Sequence, residues 1–432
     1  MPFLTDLDSR AAVKGSRDPL GIQPIWTRLG RHVIGNLTTQ STSVRDFGTL
    51  LLGYHFAEVL TDQIGPGTET ATFIKWEQLA AYSRAWCNAD FSFRGVGKVR
   101  SILSEGSRVT LSDDRGSQIL SNQRTYGLWG LYTGPARTSS LLDGDPVRLT
   151  AAGRDIVDSH YLPKLDGASQ RYVRRIRQLL ESKRSPIDLN RGDQPLAAAV
   201  AGVLSKKLSA VERRFFREYL LYGGPQDDTA GRQRQMADLI AETADEEEWD
   251  FTPARVRHFA KRARSRGESW EPLAHRLDRI ATCESVMAPA SVLFGHLLGL
   301  DGKPVSSIAE RLRSAWGPTL RTVDPALFAE LHAELSAGDK AAGDRWVALA
   351  EAFAAGDYSQ ALLVLADQNK SVMEMRGGVA WIEIGGGKLH VRVRDEQGGL
   401  LEGQALTDLW RFPYFLDSLR IVSATLAERS HG

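Results

Sequence analysis

The sequence predicts a mainly α protein of the α+β class, helical along most of its length and closing on a β-hairpin plus helix. Three observations lead there. From about residue 165 to 375 apolar residues recur every three or four positions, the period at which one face of an α-helix turns inward. The segment GGVAWIEIGGGKLHVRVRD alternates apolar and polar residues on both sides of Gly385-Gly386-Gly387, the two-residue period of paired strands joined by a glycine turn. Strong turn chemistry is confined to a few places, of which Ile64-Gly65-Pro66-Gly67 is the sharpest, because Pro lacks a donor and Gly accepts positive φ.

Four sequential segments follow from these marks: 1–65, 66–165, 166–375 and 376–432. The first is an N-terminal helical element built on FGTLLLGYHFAEVL. In the second, FIKWEQLAAYSRAW reads as a helix and GVGKVRSILSEG as another. The stretch TYGLWGLY reads as a packed segment with Tyr126, Trp129 and Tyr132 in the core. In the third, LSAVERRFFREYL places Leu208, Val211, Phe215 and Tyr219 on one apolar face with Ser209 as its cap, and ARVRHFAKRARSR does the same with Val256, Phe259, Ala260 and Ala263 behind Pro253. The fourth holds the hairpin and the aromatic helix TDLWRFPYFLDSLRIVSATLAE.

Val147-Arg148-Leu149-Thr150-Ala151-Ala152-Gly153-Arg154 reads as a strand followed by a helix capped by the Thr150 hydroxyl. It resembles the end of bacterial winged-helix domains, so the fold class extends to a winged-helix-like domain over 66–165. That resemblance implies a groove helix at 97–104 carrying Lys98 and Arg100, with Arg124, Arg137 and Arg148, together with Ser121, Asn122 and Thr125, around a wing. Many winged helices dock proteins instead of DNA.

Composition removes several classes. Apolar residues make up 42% and charged residues 25% of the 432, as in ordinary globular proteins. Lys plus Arg (54) balances Asp plus Glu (53), so no global field draws the chain to nucleic acid or an anionic bilayer, and any basic surface must be local. Cys87 and Cys283 stand far apart, which rules out a cysteine-rich zinc module and suits a reducing cytoplasm. The start lacks the pattern of a secretory signal, and the longest apolar run, 286–300, is short for a bilayer. A cytoplasmic chain with no membrane partner is expected.

No enzyme signature is found. The Gly-Lys pairs have Ser92, Leu297 and Ile382 where a phosphate-binding loop needs its first glycine. No two of the nine His stand three or four apart, so no cofactor or metal is expected. His55 near an apolar face reads as a satisfied core histidine, and Glu181-Ser182-Lys183 sits on a basic helix where metal-nuclease chemistry wants a strand.

Basic clusters remain. The first holds Arg171, Arg174, Arg175, Arg177, Lys183 and Arg184; the second holds Arg255, Arg257, Lys261, Arg262, Arg264 and Arg266, downstream of Asp245, Glu246, Glu247, Glu248 and Asp250. Helical cations neutralise phosphates with salt-sensitive affinity; they also serve as solvated or internally paired faces. In its helical make-up the chain resembles proteins encoded beside bacterial phage-defence and DNA-modification genes, which implies a non-enzymatic DNA-associated or adaptor subunit with other protein subunits as partners. Two alternatives stand beside it. One is a pure interaction scaffold anchored by Trp410, Phe412, Tyr414 and Phe415. The other is a metal-dependent nuclease whose site is assembled from distant residues.

Overall fold

The computed structural model describes residues 18–166, 169–243, 246, 249–336, 339–394 and 399–427. The chain is mainly helical, 62% helix against 6% strand, with strands only as short antiparallel pairs. It divides into two compact units, one of Met1–Val33 with Asp245–Leu416, the other of Ile34–Ala244 with Asp417–Gly432. Both are assembled from separated pieces of sequence. The cuts fall at 33/34, 244/245 and 416/417, whereas turn chemistry alone divides the chain sequentially.

The second unit is organised by two helices, Val44–Ile64 and Glu69–Asn88, buried on nearly every side. Ser43 caps the first by accepting from the Asp46 amide, and Gly65 (φ 118°) ends it. The turn at 64–67 is no domain boundary, because the rings on either side share one core: Tyr54 meets Phe73 at 5.5 Å and Phe56 meets Trp76 at 5.0 Å. Gly53 makes that approach feasible, since a Cβ there would stand 2.5 Å from Phe73 and 2.8 Å from Trp76.

Residues 123–126 and 128–138 are helical. Trp129 stacks on Tyr54 at 5.0 Å and Tyr132 is buried, but Tyr126 is 52% exposed and leaves the expected core trio. The strands Leu142–Asp143 and Arg148–Leu149 pair, and Thr150 caps the helix that follows by accepting from the Gly153 amide. Arg108–Ser112 pairs with Arg184–Asp188. Ser209 forms a capping box with Glu212; of the expected face Leu208 is buried and Phe215 and Tyr219 are half-buried, but Val211 is turned outward. Glu212, Phe216 and Leu220 are buried and Val211 is 47% exposed. The cause is electrostatic: Glu212 is drawn inward to Arg45 (2.5 Å) and Tyr161 (3.0 Å).

In the first unit the long helix Glu271–Leu297 is central. Helix Pro253–Arg264 packs Val256, Phe259, Ala260 and Ala263 inward, the stripe its sequence predicts. Ile382–Gly385 pairs with Lys388–Val391, and Pro304 bridges to Lys388. Among the described residues only Glu268–Leu297 is long and apolar enough to cross a bilayer, and 78% of its apolar window is buried inside the protein, as in a core helix.

Gly53→Ala should lower the melting temperature measured by circular dichroism, because overpacking two fully buried rings costs about 1–3 kcal/mol. An unchanged melting curve would mean that the two helices slide apart at no cost.

Candidate functional site

Helix Arg171–Glu181 carries an open cationic face in the second unit. Val173, Ile176, Leu179 and Leu180 face inward, which leaves Arg171, Arg174 and Arg175 on the solvent side at i, i+3 and i+4. Arg175 is tied to Asp193 at 3.0 Å. Arg171 and Arg174 make no ion pair among the described residues. Arg177 lies on another side, half-buried, with its Nε shielded and unbonded. Beyond the helix, Lys183 is exposed, and Arg184 and Arg108 stand at opposite ends of the paired strands, exposed and held loosely by Asp114 (3.8 Å) and Asp188 (3.3 Å).

The C-terminal end of this helix is fixed by a residue that the sequence pattern does not single out. Lys75, only 4% exposed, donates from Nζ to the carbonyls of Leu180 and of Ser182 (2.9 Å). Burial lowers its pKa, the nearby Asp113 opposes that shift, and the ammonium ends on carbonyls that the last helical turn leaves without amide partners. Within FIKWEQLAAY nothing marks this lysine, since a helix exposed on one side would carry it in water.

The residues expected around a winged-helix reader are mostly occupied. Lys98 donates to the carbonyls of Gly116 (2.8 Å) and Gln118, and Arg100 lies over the Phe91 ring at 4.2 Å. Arg137 stands 3.9 Å from Asp143 and Arg148 is paired with Asp62 at 3.0 Å. Arg124 and Arg100 are the two among them that are exposed and make no ion pair within the described residues.

The second basic cluster belongs to the first unit and is engaged in part, with Arg257 and Lys261 exposed and in no ion pair among the described residues. Arg255 pairs with Glu246 at 2.8 Å and covers the Trp249 ring, while Arg266 lies over Trp270 at 4.5 Å. Arg262 is half-buried. Asp245, Glu247 and Glu248 of the acidic run lie outside the described residues.

The aromatic tail of this unit packs inward. Trp410 and Phe412 are half-buried, Tyr414 is fully buried and Phe415 is 4% exposed. Glu284 holds them: its Oε1 accepts from the Arg411 and Phe412 amides, and its Oε2 from the Tyr414 hydroxyl at 2.8 Å. An anchor for a partner needs an exposed ring, so Trp410 and Phe412 are the two of the four with surface to offer.

Burial also shifts two carboxyl groups and a histidine. Burial raises Glu77 to about 7, against the Leu128 amide and Gln123 side chain that donate to it. It raises Glu284 to about 7 in the same way, against its three donors. Burial lowers His55 to about 4, opposed by Asp158 at 3.9 Å. Neither nitrogen of His55 finds a hydrogen-bond partner, so it is not the satisfied core histidine its sequence suggests. Among the described residues no three His, Cys, Asp or Glu side chains gather closely enough to hold a metal ion. A cavity of about 260 Å³ lies in the first unit; Thr282, Ser285, Thr319, Thr322 and Thr407 contribute hydroxyl-bearing walls. Comparison with protein-family models, curated proteins and solved structures returned no match, so the function is read from this chain's own residues.

The pKa shifts give opposed pH dependences. The folded chain holds the Glu284 proton more tightly than the unfolded chain, so this contribution to stability is whole below pH 4.5 and lost as pH rises through about 7. His55 contributes above pH 6.5 and loses its contribution as pH falls through about 4. Glu284→Gln removes one carboxyl titration, so the urea midpoint should decline less steeply between about pH 5 and 8 than in the parent chain. An equally steep decline would show that Glu284 already ionises freely in the folded state.

Proposed function

We propose that the protein is a non-enzymatic, DNA-associated subunit of a bacterial multiprotein system, of the kind that serves phage defence or DNA modification. In this reading the second unit touches duplex backbone through Arg171, Arg174 and Arg175, with Lys183, Arg184 and Arg108 extending the contact. The observation that carries the reading is the exposed arginine face of helix Arg171–Glu181, where Arg171 and Arg174 have no ion-pair partner among the described residues. Cations left open on a rigid helix neutralise phosphates without reading sequence, and each phosphate so neutralised releases counterions. Lys75 serves as a positioning residue, holding the end of the helix so that the arginines meet the backbone in one register. The short pair at 142–149 and the helix capped by Thr150 fit a winged-helix-like element whose cations are mostly spent within the protein.

The test is binding of the full-length protein to a labelled random duplex across a salt series. Arg171→Gln, Arg174→Gln and Arg175→Gln together should lower affinity equally on unrelated sequences and reduce the slope of log K against log salt by about one for each phosphate no longer neutralised. Binding that keeps the parent slope would move the DNA surface elsewhere, and no binding at low salt would leave the protein-adaptor reading in its place.

A further inference from the structure

In the first unit a cavity of about 120 Å³ lies between the end of the long helix Glu271–Leu297 and the face of helix Val305–Leu320. Seven residues line it, and their chemistry is one-sided. His296, Lys303 and Arg311 are basic, Ser307 is a hydroxyl, and Leu300, Ile308 and Leu312 are apolar. No carboxylate is among them. Lys303 and Arg311 are exposed and make no ion pair among the described residues. Asp301, the nearest acid along the loop, is already held by the Val391 amide and the Arg394 guanidinium. Lys388 adds a further exposed cation on the strand that bridges to Pro304.

Most exposed lysines and arginines are solvated and need no ligand. This pair differs because it rims a hollow whose floor is apolar: Ile308 and Leu312 are 5% and 1% exposed. Water in such a hollow meets few partners below and two uncompensated charges above. A ligand that places an anion at the rim and hydrocarbon on the floor matches both halves. The size limits the class. A volume of about 120 Å³ is roughly that of four liquid-water molecules at about 30 Å³ each, well below the ≈ 300 Å³ lower end for drug-sized ligands.

We propose that this cavity binds a small amphipathic anion, a carboxylate or phosphate-ester head on an apolar arm of a few carbons. Lys303 and Arg311 hold the head, and Leu300, Ile308 and Leu312 receive the arm. The site lies in the first unit and does not depend on the DNA reading, whose cations belong to the second.

The experiment is calorimetric titration of the full-length protein with four probes: butyl phosphate, butyrate, inorganic phosphate and 1-butanol. At least one of the first two should bind with one-to-one stoichiometry, and which one binds identifies the head. Inorganic phosphate and butanol should each be at least about tenfold weaker, since each keeps only half of the recognition. Lys303→Gln with Arg311→Gln should weaken binding about tenfold or more while melting like the parent, because both side chains are exposed. Arg311→Glu is the second variant and should abolish binding. Changing Arg171, Arg174 and Arg175 to Gln should leave it intact. Failure of both butyl probes, equal affinity for phosphate and butyl phosphate, or full binding by the double variant would each overturn the proposal.

Discussion

Two helices buried along most of their length set the terms for the second unit. Val44–Ile64 and Glu69–Asn88 are surrounded by the rest of that unit, yet they carry Arg45, Asp46, Glu58, Lys75, Glu77 and Arg84. A charge removed from water costs several kcal/mol unless it is matched in place, so Asp46 and Arg84 meet each other and the other four recruit partners from elsewhere in the chain. Arg84 reaches Asp90 (2.9 Å) and Asp46 (3.3 Å). Arg45 draws in Glu212, Glu58 accepts from Arg154 (2.8 Å), Glu77 fastens residues 123–128, and Lys75 ends the basic helix. The loops and short helices around the pair are arranged as counter-ions and donors for its buried charges.

That constraint explains what the sequence shows and what it hides. Patterns that depend on neighbours along the chain are visible in it: the stripe of helix Pro253–Arg264, the caps at Thr150 and Ser209, and the helix across 44–64. Patterns that depend on a partner from far away are not. Val211 stands in helical phase with Leu208 and Phe215 but is turned outward, because a carboxylate beside it is claimed by Arg45, 167 positions away. Tyr126 looks like Trp129 and Tyr132 in sequence but stands on a separate short turn of helix. The glycine-proline turn at 64–67 resembles a domain edge until the two helices it joins are seen to share one set of rings.

The same logic separates spent cations from open ones. A basic cluster in sequence says only that charge is abundant, and the second cluster shows how that charge is used within a unit: Arg255 on Glu246, Arg264 on Glu271 and Asp278, Arg266 over Trp270. Exposed pairs of this kind contribute about 0–1 kcal/mol each, so they fix surface side chains more than they stabilise the fold. The arginines of helix Arg171–Glu181 differ in that their helix has few acids in reach. Glu181 lies at its far end, Asp193 takes Arg175, and Asp166 before its first turn meets Arg174 through space without an ion pair. Desolvating an already paired cation to meet a phosphate costs the pair; meeting it with an unpaired one does not. In the proposed DNA reading, binding strength on this surface would follow the number of free guanidinium groups and not the count of arginines in the sequence.

Geometry adds a requirement that charge alone does not. A helical face presents its arginines to a rigid polyanion in one register only when the helix itself cannot roll or fray, and the last turn is where fraying begins. Here that turn is tied to a buried helix of the unit by the ammonium of a lysine only 4% exposed. The cost of burying Lys75 is thereby offset at the point where a surface helix is weakest. The helix that faces solvent inherits the rigidity of a helix buried along most of its length.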